Sequence, residues 1–467
     1  MADISRKTLA IPHRKRFFRN KNNWPARRAP LGKRMNITLN SLILISLAAL
    51  SACVPINQPA ATATPGGKAK TLQLIDRAYE SVIKTIQLHP DAQPLDPAVT
   101  RLGQWNLVLE FDDLRDHNDN YYARIVHCNY DWTKSTLSDL DFMTGYNEFP
   151  INTFEFSVDT HVPFVHYKFN VPGVKLSGNY VLVVYRESNK DDIILSRRFM
   201  VYQTQVTFKR DGNLLGPGNA ADISQQLNFT INYQNVNILN AMTDVHVNMR
   251  QNQRWDNIVS DVRPSFVREI EKEMEYRYFD DAKMFRGGNE FRFFDLRSLN
   301  YPGQNIDRIN KTAKPFEAYI QKDKSRENEA YSQPQIPDIN GNFNLDNYDY
   351  RDMAYANYVN VNFTLAVPPV ASGDVYVAGA FNYWNLGVAN KMKYDTVQNA
   401  YTARMLLKQG WYNYQYVVRA PNRASYMFEG SHFETENFYE IFVYYRPYQP
   451  QADLLVGYER IEANPRR

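Results

Sequence analysis

The chain has 467 residues, of which 44% are hydrophobic and 14% aromatic, with a formal net charge of +4. That positive balance belongs to the N-terminus: residues 1–34 hold eleven Lys and Arg against the single acid Asp3, and a chain starting at residue 53 is acidic, about −6 on the same count. An acidic body without a Lys/Arg cluster excludes an electrostatic nucleic-acid binder, and its 415 residues suit two or three domains.

Residues 42–50 form an apolar run broken only by Ser46. It is far shorter than the ~20 residues that span a bilayer, so it is expected to be a signal-peptide core. Leu50, Ser51, Ala52 and Cys53 follow it and resemble the bacterial lipobox. Leu50, Ser51 and Ala52 would be recognised by the signal peptidase, and Cys53 would be lipidated as the first mature residue. The basic stretch upstream is longer than an ordinary n-region and reads as a mis-called start, with translation beginning at Leu31 or Met35. Residues 1–52 are thus leader and lipoprotein signal peptide. Residues 53–76, rich in Pro, Ala, Thr and Gly, are a flexible tether. With Cys53 lipidated, Cys128 is left without a disulfide partner.

From Leu72 onward, short β-branched and aromatic runs alternate with Gly, Pro, Asn and Asp clusters. Runs at 81–88, 106–111, 122–128, 164–169, 179–185 and 194–202 predict an N-terminal β-sandwich over 77–203. Runs at 205–210, 226–233, 244–250 and 289–294 predict a middle β-rich domain over 204–345, closed by a long polar loop at 323–350. Within it, 266–279 reads as a short amphipathic helix or a strand. Runs at 359–367, 412–418 and 439–445 predict a C-terminal sandwich over 346–467. The fold class is all-β, with serial immunoglobulin-like sandwiches.

Chemistry-bearing motifs are scarce. The chain has no phosphate loop, no GxSxG elbow, no HExxH and no paired CxxC, so no catalytic residue, metal site or cofactor is assigned. The carboxylates of 111–120 could form a calcium loop but also suit a hairpin. His127 and Cys128, as strand neighbours, point to opposite faces, and Cys128 reads as a core residue. His161 and His166, at odd spacing, also diverge.

"DVYVAGAFNYWN" (374–385) and "GWYNYQYVV" (410–418) resemble the glycogen-binding, isoamylase-N-like β-sandwich, with Gly379, Phe381 and Trp384 matching its G-x-F-x-x-W turn. The resemblance offers Trp384, with Tyr426 in place of a missing second tryptophan, as a glycan-stacking pair. The alternative reading has Trp384 merely closing its sandwich.

Seven strings, "HCNYDW" (127–132), "SGNYVLVVY" (177–185), "RRFMV" (197–201), "QNQRWDN" (251–257), "GGNEFRFFD" (287–295), "TENFYEI" (435–441) and "DLLVGY" (453–458), resemble the type IX secretion system plug protein family of Bacteroidetes. The resemblance implies a non-catalytic protein that docks on the giant outer-membrane β-barrel translocon and closes its periplasmic mouth, with no nucleic acid and no small-molecule substrate. Cys53 would anchor it to the periplasmic face of the outer membrane. Arg254 and Trp255, residue types that dominate interface energetics, are the candidate partner-binding residues. The competing reading of their segment is a strand end with Trp255 in the core. The competing function is a glycan-binding outer-membrane lipoprotein.

Overall fold

The computed structural model describes residues 70–210, 221–278 and 283–465, nearly all of them in β-strands and their connections. The leader, the lipobox with Cys53, and the tether up to residue 69 lie outside the described residues.

The first sandwich is built from two sheets. Its outer sheet runs in the order Ile83–Pro90, Leu107–Asp113, Val165–Asn170, Thr153–Phe156. Its inner sheet runs Arg77–Ala78, Ile193–Tyr202, Gly178–Arg186, Tyr121–Cys128, Phe149–Ile151, with Val99–Arg101 added in parallel to Ile193–Tyr202. Leu109, Phe111, Tyr167, Tyr180, Leu182 and Val184 fill the space between them. Each such side chain contributes up to about 1.5–3 kcal/mol of burial energy.

A second pair of sheets makes the middle sandwich. The outer one contains Thr207–Arg210, Phe229–Asn232, Glu273–Tyr276 and Phe266–Arg268; the inner one contains Val259–Val262, Val245–Gln251, Asn437–Tyr445 and Leu454–Ala463. Alternation in Val245, Val247 and Met249 sends those residues into the core, where they meet Ile231, Met274, Ile441 and Val443. Residues 266–276 settle the ambiguity noted above. They form two antiparallel strands, because Met274 and Tyr276 enter the core at period two.

The last two strands correct the expected division of the chain. Residues 439–445 were expected to close the third domain, but they pair residue by residue with Val245–Gln251 in the middle one. Conversely, Arg292–Asp295, placed in the middle domain by sequence, pairs with Gly410–Arg419. The third sandwich therefore begins before residue 345, and the 323–350 stretch lies within it. One of its sheets contains Arg292–Asp295, Gly410–Arg419, Phe343–Leu345 and Asp374–Ala378. The other contains Ile306–Asn310, Glu317–Ile320, Tyr358–Ala366, Ala400–Lys408 and Lys393–Asp395. This sandwich is inserted between the strands Phe285–Arg286 and Asn437–Tyr445 of the middle one.

The two inner sheets pack face to face. Val126, Val181, Val183 and Met200 of the first sandwich meet Phe442, Tyr444 and Leu455 of the middle one. Gly178–Arg186 is consequently buried on both faces, which is why its central residues, Tyr180 to Tyr185, form an apolar run instead of an alternating one.

Candidate functional site

The seven strings quoted above gather where the sandwiches meet. At the contact between first and middle sandwiches, the Tyr130 ring stacks on His246 with centroids 3.8 Å apart. The Tyr130 N–H donates to Asp453 Oδ2 at 2.9 Å, and Asn248 Nδ2 donates to the Tyr130 carbonyl at 2.8 Å. Asp453 is in turn held by Arg446 through two 2.8 Å hydrogen bonds. From the inner strand of the first sandwich, the Asn179 side-chain carbonyl accepts the Tyr444 hydroxyl at 2.8 Å.

Beside these contacts runs a ladder of alternating guanidinium groups and rings. The Arg198 guanidinium lies 4.4 Å from the Trp132 ring centroid and 5.0 Å from that of Trp255; Arg250 lies 4.2 Å from Trp255 and 5.3 Å from Phe442. Desolvated cation–ring contacts of this kind are worth about 2 kcal/mol. Glu440 neutralises Arg250 through two 2.7 Å hydrogen bonds, with both side chains buried. Burial pushes the Arg198 guanidinium below its ordinary range, and nearby Asp76 works against that shift.

The segment 251–257 is the point where all three sandwiches touch. Asn252 and Gln253 both adopt left-handed backbone, with φ 50° and 58°. That turn aims consecutive side chains in different directions. Gln253 donates to the Leu95 carbonyl of the first sandwich at 2.8 Å, Asn252 donates to Asn437 Oδ1 of the middle one at 2.7 Å, and Arg254 covers Trp384 of the third at 4.0 Å. Arg254 is also fixed by two hydrogen bonds to Asp256 at 3.0 and 2.6 Å. The candidate pair thus faces inward: Arg254 and Trp255 both serve contacts between sandwiches.

Where the chain enters and leaves the third sandwich, two backbone segments cross closely. A Cβ on Gly287 would sit 1.9 Å from the His432 carbonyl oxygen, so only glycine fits. Asn437 Nδ2 donates to the Gly287 carbonyl at 2.8 Å, and the Thr435 hydroxyl donates to that of Gly288 at 2.9 Å. Just inside the third sandwich, buried Glu429 receives Arg292 and Arg326. Burial would raise the Glu429 carboxyl, but Arg326 and Arg292 outweigh it and hold it below its ordinary range.

The first and third sandwiches are joined by a buried ion pair. Asp112 Oδ2 lies 2.8 Å from Lys408 Nζ and accepts the Tyr358 hydroxyl at 2.7 Å; Oδ1 lies 2.8 Å from His166 Nδ1. The side chains of Asp112 and Lys408 are 1% and 2% exposed. Burial alone would raise the Asp112 carboxyl, yet Lys408 and His166 hold it well below the usual carboxylate range.

Other sequence candidates fall as follows. Trp384 is buried at 7% exposure, beneath Arg254 and against Phe291, and a Cβ on Gly341 would lie 2.6 Å from its ring. Neither face is open to a sugar. Tyr426 is half-buried near Arg286, and no ring contact joins it to Trp384 among the described residues. The 111–120 carboxylates are engaged by side chains: Asp113 by Arg115, Asp119 by Arg186, Asp112 by Lys408. No group of three or more His, Cys, Asp or Glu placed to hold a metal occurs among the described residues. Burial pushes the Cys128 thiol up to about 12 and His127 down to about 4, so neither is poised as nucleophile or base.

Sequence reasoning missed Lys408 and Arg198. Lys408 carries no local mark, and Arg198, although it lies within the string at 197–201, is not distinguished there, since the partners of both come from distant strands.

Residues 83–203 match the family model described as the first domain of the type 9 secretion system plug protein. The crystal structure of a hypothetical protein from Parabacteroides merdae superposes with a TM-score of 0.77 at 30% sequence identity, covering 84% of this chain and 100% of that one. No curated protein matches the chain.

Proposed function

The chain belongs to the type IX secretion system plug protein family, and from that membership we propose that it closes the periplasmic mouth of the system's giant outer-membrane barrel when no cargo is passing. The observation that supports a steric role is the joining of the three sandwiches to one another through buried contacts. The ladder joins first to middle, the Gly287 crossing joins middle to third, and the Asp112–Lys408 pair joins third back to first. A closed triangle of contacts resists bending, which is what an occluding body requires. The residues that carry the family likeness are spent on those contacts, so we read the protein as non-catalytic.

Lipidation of Cys53 would hold the plug at the periplasmic face of the outer membrane and raise its effective concentration at the barrel. The decisive experiment is affinity purification of the tagged full-length protein from detergent-solubilised native membranes, repeated with Cys53→Ala. Recovery of one very large outer-membrane barrel, in lower yield from the variant, is the expected result. Recovery of the protein alone, or with polysaccharide-uptake components, would overturn the proposal.

A further inference from the structure

Between residues 75–85 of the first sandwich and the third sandwich lies a cleft of about 670 Å³. Its walls are largely apolar, with Ile83, Phe381, Met405, Leu407 and Tyr412 among them, and it carries three cations, Arg77, Lys84 and Arg404. Two of these are engaged: Arg77 donates to Gln73 Oε1 at 2.6 Å, and Arg404 to Glu317 Oε1 at 2.6 Å. Lys84 is half-buried and has neither a hydrogen bond nor an ion pair among the described residues.

The one acid in the lining, Glu80, is committed to Lys70, Arg186 and Arg115. Burial lowers the Lys84 ammonium from its ordinary value, with no neighbouring carboxylate offsetting the shift. A cation removed from water without a counter-ion is a standing cost. An anionic ligand would relieve it.

We propose that this cleft binds a single-chain anionic amphiphile, its carboxylate or phosphate on Lys84 and its aliphatic chain along Met405 and Leu407. The volume lies within the roughly 300–1,000 Å³ range of small-molecule sites. A folded partner would instead need about 800 Å² of surface. Charge complementarity selects an anion, and the apolar walls select an aliphatic body. Because the two walls belong to different sandwiches, the ligand would also bridge the first-to-third joint. The inference stands independently of the plug proposal.

The test is isothermal titration of the purified protein with sodium laurate, dodecyl phosphate and uncharged dodecyl maltoside, each below its micellar concentration. Lys84→Met, the cleft-filling Ala389→Trp and the remote control Lys168→Met would be titrated alongside. The expected result is saturable one-to-one binding of at least one anionic probe, weakened roughly tenfold or more by Lys84→Met, the loss of one charge-assisted contact. Ala389→Trp should abolish it, and Lys168→Met should leave it unchanged. Which anionic probe binds more tightly separates a carboxylate ligand from a phosphate one. Thermal unfolding shows whether each variant is folded, and Lys84→Met should melt no lower than the wild type, since it removes an uncompensated cation. Absence of saturable binding by both anionic probes, or maltoside binding equal to theirs and indifferent to Lys84→Met, would overturn the proposal.

Discussion

Replacing Lys408 with Met tests the joint between the first and third sandwiches most directly. Both members of the Asp112–Lys408 pair are almost wholly buried, so the substitution strands a carboxylate that water cannot reach. Breaking such a pair from one side costs about 3–5 kcal/mol. Asp112 retains His166 and the Tyr358 hydroxyl, which places the expected loss near 3 kcal/mol, the lower end of that range. Urea unfolding at pH 7, followed by tryptophan fluorescence, measures it. The double variant Asp112→Asn with Lys408→Met carries no stranded charge and should recover most of the loss. Acidification adds a second readout. In the native protein the folded Asp112 sits below its unfolded value of about 3.9, so its contribution is present above that pH and is lost as pH falls toward the folded value. Without Lys408, less opposes the effect of burial, so the Asp112 carboxyl of the folded variant lies higher than in the native protein and the variant has less stability to lose as pH falls. The gap between variant and wild type should therefore narrow as pH falls below about 4. A Lys408→Met protein within about 1 kcal/mol of wild type at pH 7, as for a surface pair, or a gap that widens in acid, would refute the reasoning.

Trp255→Ala removes the ring shared by Arg198 and Arg250 and should cost about 3–5 kcal/mol in the same unfolding assay; a loss below 1 kcal/mol would show that the ladder is incidental. Gly287→Ala forces a methyl onto the His432 carbonyl and should sharply reduce soluble folded protein, whereas Gly145→Ala, with open space around it, should not; equal yields would remove the close crossing as a constraint. In a Cys53→Ala background, Cys128 should resist a thiol reagent such as dithionitrobenzoate until denaturant is added, because burial holds its thiol near 12; reaction at the rate of an exposed thiol would contradict that burial.

Strand positions were legible in the sequence because half-buried strands write themselves at period two, as in Val245, Val247 and Met249. The stacking of sandwiches was written there too, in a form easily passed over. Val181–Tyr185 and Ile441–Tyr445 do not alternate, and a strand without alternation is covered on both sides. Which strand pairs with which was not legible. Residues 439–445 carry the same aromatic, β-branched character whether they close the third sandwich or the middle one, and only long-range packing decides. Asp112 and Lys408 stand 296 residues apart, beyond the reach of any local pattern. Arg254 and Trp384 illustrate the converse: an exposed binding pair and a guanidinium capping a buried ring have the same composition, and burial alone tells them apart.

Insertion of the third sandwich also dictates an order of assembly. The first sandwich has all its strands by residue 202, but the middle one lacks Asn437–Tyr445 and Leu454–Ala463 until the entire insert has been synthesised. Through that interval Val247 and Met249 are paired only on the side of Val259–Val262 and lack Val443 and Ile441 on the other, and the face of the first sandwich around Val181 and Val183 has nothing to dock on. Such half-paired apolar strands are the species that aggregate or are cleaved during slow, non-local folding. A chain cut short by its last thirty or so residues would thus lose far more than a tail: the central sandwich would stay open, and the first and third sandwiches would be left with only their direct joint at Asp112 and Lys408.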